Sequence, residues 1–265
     1  MNSRILVAVV GIPLLILIIL WAPDWLICAA LCALAALAGF ELQKCVSGES
    51  RSVMTALSAA LPAFTILWGF LTAESPALLW AAEIMLLFAY AISQGGKVKF
   101  EQIAAALFAG IPIAYSFASF LRMESGGAPR ALLLLPFVLS FSCDSGAYLA
   151  GSSFGRHKLA PIVSPHKTVE GAVGGLLGNV LGGLVFAFLF RRFGGGATGY
   201  LWVAALSLAC GVVSQLGDLS FSLIKRQYGI KDYGRVFFAH GGVLDRFDSV
   251  LFVAPVAEFA LSWIA

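Results

Sequence analysis

Between Lys225 and Ser249 the chain reads KRQYGIKDYGRVFFAHGGVLDRFDS. This stretch holds Lys225, Arg226, Lys231, Asp232, Arg235, His240, Asp245, Arg246 and Asp248. Asp245 and Asp248 are three apart, so on a helix both carboxylates can point into one metal site. The five cations can neutralise phosphate oxygens, with Lys225, Arg226 and Lys231 the first choices. Such a set suits a divalent metal and a polyphosphate. Hard carboxylate ligands favour Mg²⁺ over zinc. A zinc site would need more imidazole or thiolate than the three histidines of this chain offer. Mg²⁺ commonly keeps some water and binds through one or two carboxylates plus substrate phosphates, which fits an enzyme that uses a nucleoside triphosphate.

Three upstream features extend the set. Asp144 sits in the apolar run at 131–150, with Tyr148 and Gly151 at i+4 and i+7 on the same helical face. A carboxylate inside an apolar span is costly and marks a functional position by default. Ser164-Pro165 is expected to open a helix, because Pro is favoured in a first turn. Lys167, Glu170 and Gly171 would then share a face near an anion-attracting N-terminus. Gly174, Gly178 and Gly182 follow at four-residue intervals and are expected to form a helix-packing seam rather than a phosphate loop. Asp218, Ser222, Lys225 and Arg226 fall at i, i+4, i+7 and i+8, so a carboxylate at membrane depth leads along one stripe to cations at the surface.

The elements that must position these residues are apolar. Hydrophobic residues make up 60% of the 265 positions and charged residues 12%, about half the roughly 25% of a soluble domain. Mean hydropathy is +0.93. These values exclude an ordinary water-soluble fold and predict an all-α, polytopic membrane protein. Nine runs of roughly membrane length are expected, at 5–21, 25–42, 53–72, 76–92, 102–121, 131–150, 169–190, 200–221 and 247–264. The first run is read as a retained span rather than a cleaved leader, since no small-residue cleavage site closes it. Residues 1–130 are read as scaffold helices and 131–265 as helices joined by catalytic loops. The five cysteines lie in or beside apolar runs and are expected to be small buried hydrophobes. With nine spans, Arg122, Arg130, Arg191 and Arg192 fall on one side and the other 13 of the 17 basic residues on the opposite side. The positive-inside rule then places the N-terminus and the loops 151–168 and 222–246 in the cytoplasm.

On these residues the chain resembles the phosphatidate cytidylyltransferase (CDP-diacylglycerol synthase) family. The resemblance is carried by Ser222-Leu-Ile-Lys225-Arg226, Lys231-Asp232 and His240-Gly-Gly-Val-Leu-Asp245-Arg246-Phe-Asp248. Asp144-Ser-x-Ala-Tyr148-x-x-Gly151 and Ser164-Pro-x-Lys167-Thr-x-Glu170-Gly171 add to it. The match is dense from about 140 to 255, and residues 1–130 match only as apolar spans. Phe238 departs from the family pattern, which usually has Pro, Gly or Ser two residues before the His. The resemblance implies transfer of CMP from CTP to phosphatidate, giving CDP-diacylglycerol and pyrophosphate at the cytoplasmic face of a cell's inner membrane. It implies Mg²⁺ on Asp218 and Asp245, with Asp144 and Asp248 as further ligands, and leaves open a second metal or a monovalent cation. It implies that Lys167, Lys225, Arg226 and His240 act on phosphates or protons. Ser164, Ser222, Lys231, Asp232 and Arg246 would bind substrate. CTP, phosphatidate and membrane lipids are the expected partners, with no nucleic acid and a homodimer left open. The rival readings are a transporter with intramembrane aspartates and a lipid cytidylyltransferase with an isoprenoid acceptor.

Overall fold

The computed structural model describes residues 3–72, 74–193, 199–234 and 241–263. Among them are nine helical segments: α1 (Ser3–Trp21), α2 (Asp24–Ser47), α3 (Val53–Thr72), α4 (Ala77–Ser93), α5 (Phe100–Ser125), α6 (Arg130–Phe154), α7 (Val169–Arg192), α8 (Tyr200–Gln227) and α9 (Leu244–Leu261). Each coincides with one of the nine expected runs. Six of them, α2, α3, α5, α6, α7 and α8, are long and apolar enough to cross a membrane. α4 is shorter, at 17 residues. α9 carries Asp245, Arg246, Asp248 and Glu258 within its 18 residues.

Local chemistry sets the breaks. α2 ends where Gly48 adopts φ 71° and returns its N–H to Lys44 O, a left-handed cap that a residue without Cβ adopts freely. α5 contains a π-turn at Ala109–Ile113 around Pro112, whose ring removes a donor from the helical ladder. α6 runs on to Phe154 and α8 to Gln227, beyond their apolar runs, which brings Lys225 and Arg226 onto helix.

The expectation of a helix from Ser164 is overturned. Ser164–Thr168 is a strand, β2, paired antiparallel with β1 (Lys158–Ala160), with Lys158 opposite Thr168 and Ala160 opposite Ser164. α7 opens only at Val169, because Thr168 is extended and its hydroxyl accepts the N–H of Gly171 at 3.1 Å. A side-chain cap at Thr168 outweighs the start signal of Pro165, whose fixed φ suits extended backbone as well as a first helical turn. Lys167 and Glu170 therefore lie on different elements.

The chain forms two compact units, Met1–Leu121 with Tyr228–Arg246, and Arg122–Gln227 with Phe247–Ala265. In the first, Met54, Leu61, Leu87, Ile103 and Ala106 form a buried cluster. In the second, Leu135, Leu139, Leu206, Cys210 and Val253 do so. Cys28, Cys143 and Cys210 are buried, Cys32 and Cys45 are half-buried, and none of the five is in a disulfide. In α7 the outward stripe Leu177, Leu181, Val185 is apolar and exposed, as expected of a surface that meets lipid.

Flanking that stripe, roughly 60° around the helix, lies the half-buried glycine seam. A Cβ on Gly178 would stand 2.8 Å from Ser142 O and 2.9 Å from Gly146 Cα, and one on Gly174 would strike Ala150. α6 and α7 thus approach backbone to backbone, as small residues permit between membrane helices. Gly178→Val is expected to separate them at a cost of about 1–3 kcal/mol and to displace Asp144 from β2. Leu181→Ala, on the exposed face, should leave both thermal midpoint in detergent and turnover near wild type. A Gly178→Val protein with unchanged midpoint and rate would refute the seam.

Candidate active site

In the second unit a cavity of about 470 Å³ opens between α6, β2, α7 and α8. Asp144, Tyr148 and Gly151 reach it from α6, His166 and Lys167 from β2, Gly171 from α7, and Gln215 and Asp218 from α8. The shared face expected for Asp144, Tyr148 and Gly151 is thus the face that lines the cavity. The strand, rather than a helix, delivers Lys167: adjacent residues on β2 alternate sides, and the buried Thr168 anchors the register.

Lys167 Nζ donates to Asp218 Oδ2 as an ion pair across 51 residues of sequence. Both side chains keep about a quarter of their surface exposed. The Ser222 hydroxyl donates to the other oxygen, Oδ1, at 3.4 Å. The expected stripe from Asp218 to Ser222 is therefore an actual contact. Asp144 lies within electrostatic reach of Asp218 and Lys167. Asp248 lies within reach of Asp218, Asp144 and Lys225. The three carboxylates and two lysines thus form one charged cluster. Lys225 is 8% exposed. Its neighbour Arg226 is exposed and donates from Nε to Val163 O, in the hairpin turn, at 3.2 Å.

A metal can be tested against this cluster. Among the described residues no three His, Cys, Asp or Glu side chains stand as a ready-made metal cage. Mg²⁺ does not need one, since one or two carboxylates, water and substrate phosphates suffice. Asp144, Asp218 and Asp248 are hard oxygen donors within electrostatic reach of one another, and Lys167 already offsets the charge of Asp218. The donor set fits Mg²⁺.

The hairpin is held by a residue the sequence reading had placed beside Lys167. Glu170 accepts the N–H groups of Arg156 at 3.0 Å and His157 at 3.2 Å, and meets His157 Nδ1 at 2.6 Å. It fixes the corner that leads into β1 and does not line the cavity. Ser152, His166 and Gln215 are polar residues of the cavity wall that the motifs do not single out. Gln215 donates from Nε2 to Ala172 O at 2.9 Å, and His166 lies beside Lys167. Gln215 is one turn before Asp218 on an apolar helix, and that signal was readable.

In the first unit, Asp245 Oδ2 accepts the N–H of Tyr233 at 2.8 Å and that of Gly242 at 2.9 Å. Gly241 adopts φ 82° and a Cβ there would stand 2.8 Å from Asp245 Oδ2. Both demands explain the first glycine of the pair. Lys231, Asp232 and Arg246 are exposed, as befits residues expected to meet a soluble substrate. Ser164 starts β2 and is half-buried. Arg235, Phe238 and His240 lie outside the described residues.

The "Cytidylyltransferase family" model matches residues 2–264. The chain is 36% identical over 180 residues to the phosphatidate cytidylyltransferase of Bacillus subtilis (strain 168), covering 68% of this chain and 65% of that protein. It is 35% identical over 181 residues to the phosphatidate cytidylyltransferase of Staphylococcus haemolyticus (strain JCSC1435), covering 68% and 67%. It is 34% identical over 181 residues to that of Staphylococcus aureus (strain COL), with the same coverage. The aligned part spans slightly under two thirds of the Bacillus protein's length.

Proposed function

Because the chain belongs to the cytidylyltransferase family, we propose that it transfers CMP from CTP to phosphatidate, forming CDP-diacylglycerol and pyrophosphate at the cytoplasmic face of the membrane. The observation that carries this reading is the cluster of Asp144, Lys167 and Asp218 in one cavity between apolar helices. Such a site can hold a polyphosphate while the acyl chains of the other substrate stay in lipid. The relatives' name supplies the acceptor.

A phosphate oxygen of phosphatidate attacks the α-phosphorus of CTP. A new P–O bond forms, the bond to the bridging α–β oxygen breaks, and its electron pair leaves with pyrophosphate. A phosphate monoester, with a second pKa of about 6, is already a dianion near neutral pH, so no strong base is required. Catalysis is then positioning and charge neutralisation. Lys167 and Lys225 lie in the cluster and would hold CTP phosphates. Arg226 offers a planar fork suited to the lipid phosphate. Mg²⁺, when bound, supplies further stabilisation of phosphate charge. Asp218, Asp144 and Asp248 would hold it, and the sequence motif adds Asp245. Ser164, Ser222, Lys231, Asp232 and Arg246 are assigned to substrate binding, and His240 to a phosphate or a proton, on the motif. A transporter would explain the intramembrane aspartates but gives no reason for membership of a nucleotide-using family.

Purified protein supplied with labelled CTP, phosphatidate and Mg²⁺ should yield a labelled lipid that migrates as CDP-diacylglycerol, with one pyrophosphate released per lipid formed. A polyprenyl phosphate offered instead should give none. No labelled lipid from either acceptor would overturn the reading, and preference for the polyprenyl phosphate would replace its acceptor.

The cytoplasmic placement has its own test. Single cysteines at Ser47 and at Gly194, the latter outside the described residues, in a cysteine-free background should be labelled from opposite sides of sealed vesicles. Ser47 should react from the cytoplasmic side. Labelling of both from one side would overturn the topology.

A further inference from the structure

Glu41 lies near the C-terminal end of α2, remote in sequence from every residue assigned to the site above, and is 2% exposed. Its two carboxylate oxygens each accept a main-chain N–H. Val243 donates to Oε1 at 3.0 Å and Leu244 to Oε2 at 3.0 Å. Leu244 is the first residue of α9, and the residue before it, Val243, has no polar side chain with which to cap a helix. α9 is therefore capped by a carboxylate from a helix 202 residues away in sequence. With Asp245 accepting from Gly242, three successive N–H groups, those of 242, 243 and 244, each end on a carboxylate.

The same side chain accounts for two glycines. A Cβ on Gly234 or on Gly242 would run into the Glu41 carboxylate, and for Gly242 all three nearest atoms belong to it. The second glycine of the His-Gly-Gly motif is thus required by Glu41 as the first is by backbone angle. The chemistry is specific as well. Two donors need two acceptors, and glutamine would turn an N–H toward one of them and leave a buried donor unsatisfied.

We propose that Glu41 is a positioning residue for cytidylyl transfer. Its two-oxygen cap fixes the start of α9, and with it the direction in which Asp245 leaves the helix. It touches neither substrate. This inference rests on the functional reading above.

The test compares full-length wild type, Glu41→Gln, Glu41→Asp, Gly242→Ala and the double variant Glu41→Gln/Gly242→Ala, with rates counted per folded molecule. An inactive wild type would sink the functional reading. An active wild type isolates the question of Glu41. Glu41→Gln should lower kcat about 10–100-fold, the range seen when a supporting hydrogen bond behind a site is removed. The KM values for CTP and phosphatidate should each move less than about threefold, because no substrate contact is lost. Glu41→Asp keeps both acceptors and should recover part of the rate. Gly242→Ala disturbs the same contact from the other side, so the double variant should cost no more than the worse single one. Where Glu41→Gln accumulates poorly, Glu41→Asp and Gly242→Ala carry the same comparison. A wild-type kcat per folded Glu41→Gln molecule, a loss confined to either KM, or fully additive losses in the double variant would each overturn the proposal.

Discussion

Asp218→Asn is expected to lower CDP-diacylglycerol formation by roughly 10³-fold, about 4 kcal/mol of transition-state stabilisation, while the protein still inserts and purifies. The amide keeps the side-chain volume and an acceptor for the Ser222 hydroxyl, which lies 3.4 Å from Oδ1. What it removes is the charge that faces Lys167 and that a hard cation needs. Two roles for this carboxylate predict different double variants. If Asp218 served only to neutralise Lys167, then Lys167→Gln in the same chain would restore activity by removing the stranded cation. If Asp218 acts on Mg²⁺ and Lys167 on phosphate, the double variant remains inactive, and that is the expected result. The measurement is labelled-lipid formation across a Mg²⁺ series, with thermal midpoint in detergent as the control for folding. A near-wild-type rate in Asp218→Asn at limiting Mg²⁺ would remove Asp218 from the site. Asp245→Asn is expected to be comparably damaging, although an asparagine there can still accept the Tyr233 and Gly242 N–H groups. Any loss would therefore report charge rather than loop geometry.

Lys225→Gln and Arg226→Lys should fail in different ways. Adjacent residues on a helix point about 100° apart, and here the two side chains have different surroundings. Lys225 is buried beside Asp248, on the side of the charged cluster. Arg226 is exposed and reaches over the hairpin turn to Val163 O. Lys225→Gln should raise the KM for CTP about tenfold or more and that for phosphatidate much less. Arg226→Lys keeps the charge but loses the planar fork, and should reverse the pattern. Each tenfold change corresponds to about 1.4 kcal/mol. Varying each substrate separately in both proteins decides the matter. Equal losses toward both substrates in both variants would mean that the two residues act as one unit in the transition state, and the division of labour would have to go.

Much of this protein is local information. Among the described residues every expected apolar run lies on a helix, because hydropathy and helical period are properties of neighbouring residues, and six of those helices are long and apolar enough to cross a membrane. The spacing of Asp144, Tyr148 and Gly151 put all three on one cavity wall for the same reason. The four-residue glycine ladder announced a close helix contact without naming its partner. Where a local signal had a competitor, it failed: Pro165 suited either a helix start or a strand, and the cap at Thr168 settled it.

The residue types of the site, the helices that carry most of them and, through the motifs, the family follow from the order of amino acids alone. Tertiary structure alone decided which of them meet. The pairing of Lys167 with Asp218 depends on a hairpin reaching across to α8. The capping of α9 by Glu41 depends on α2 lying against residues 202 positions later. Glu41 carried the same warning as Asp144, a carboxylate within an apolar run, but nothing in its own neighbourhood names its partners. A hydrogen bond between distant segments is fixed by packing and by the need to satisfy buried donors, and neither is written in the periodicity of either segment.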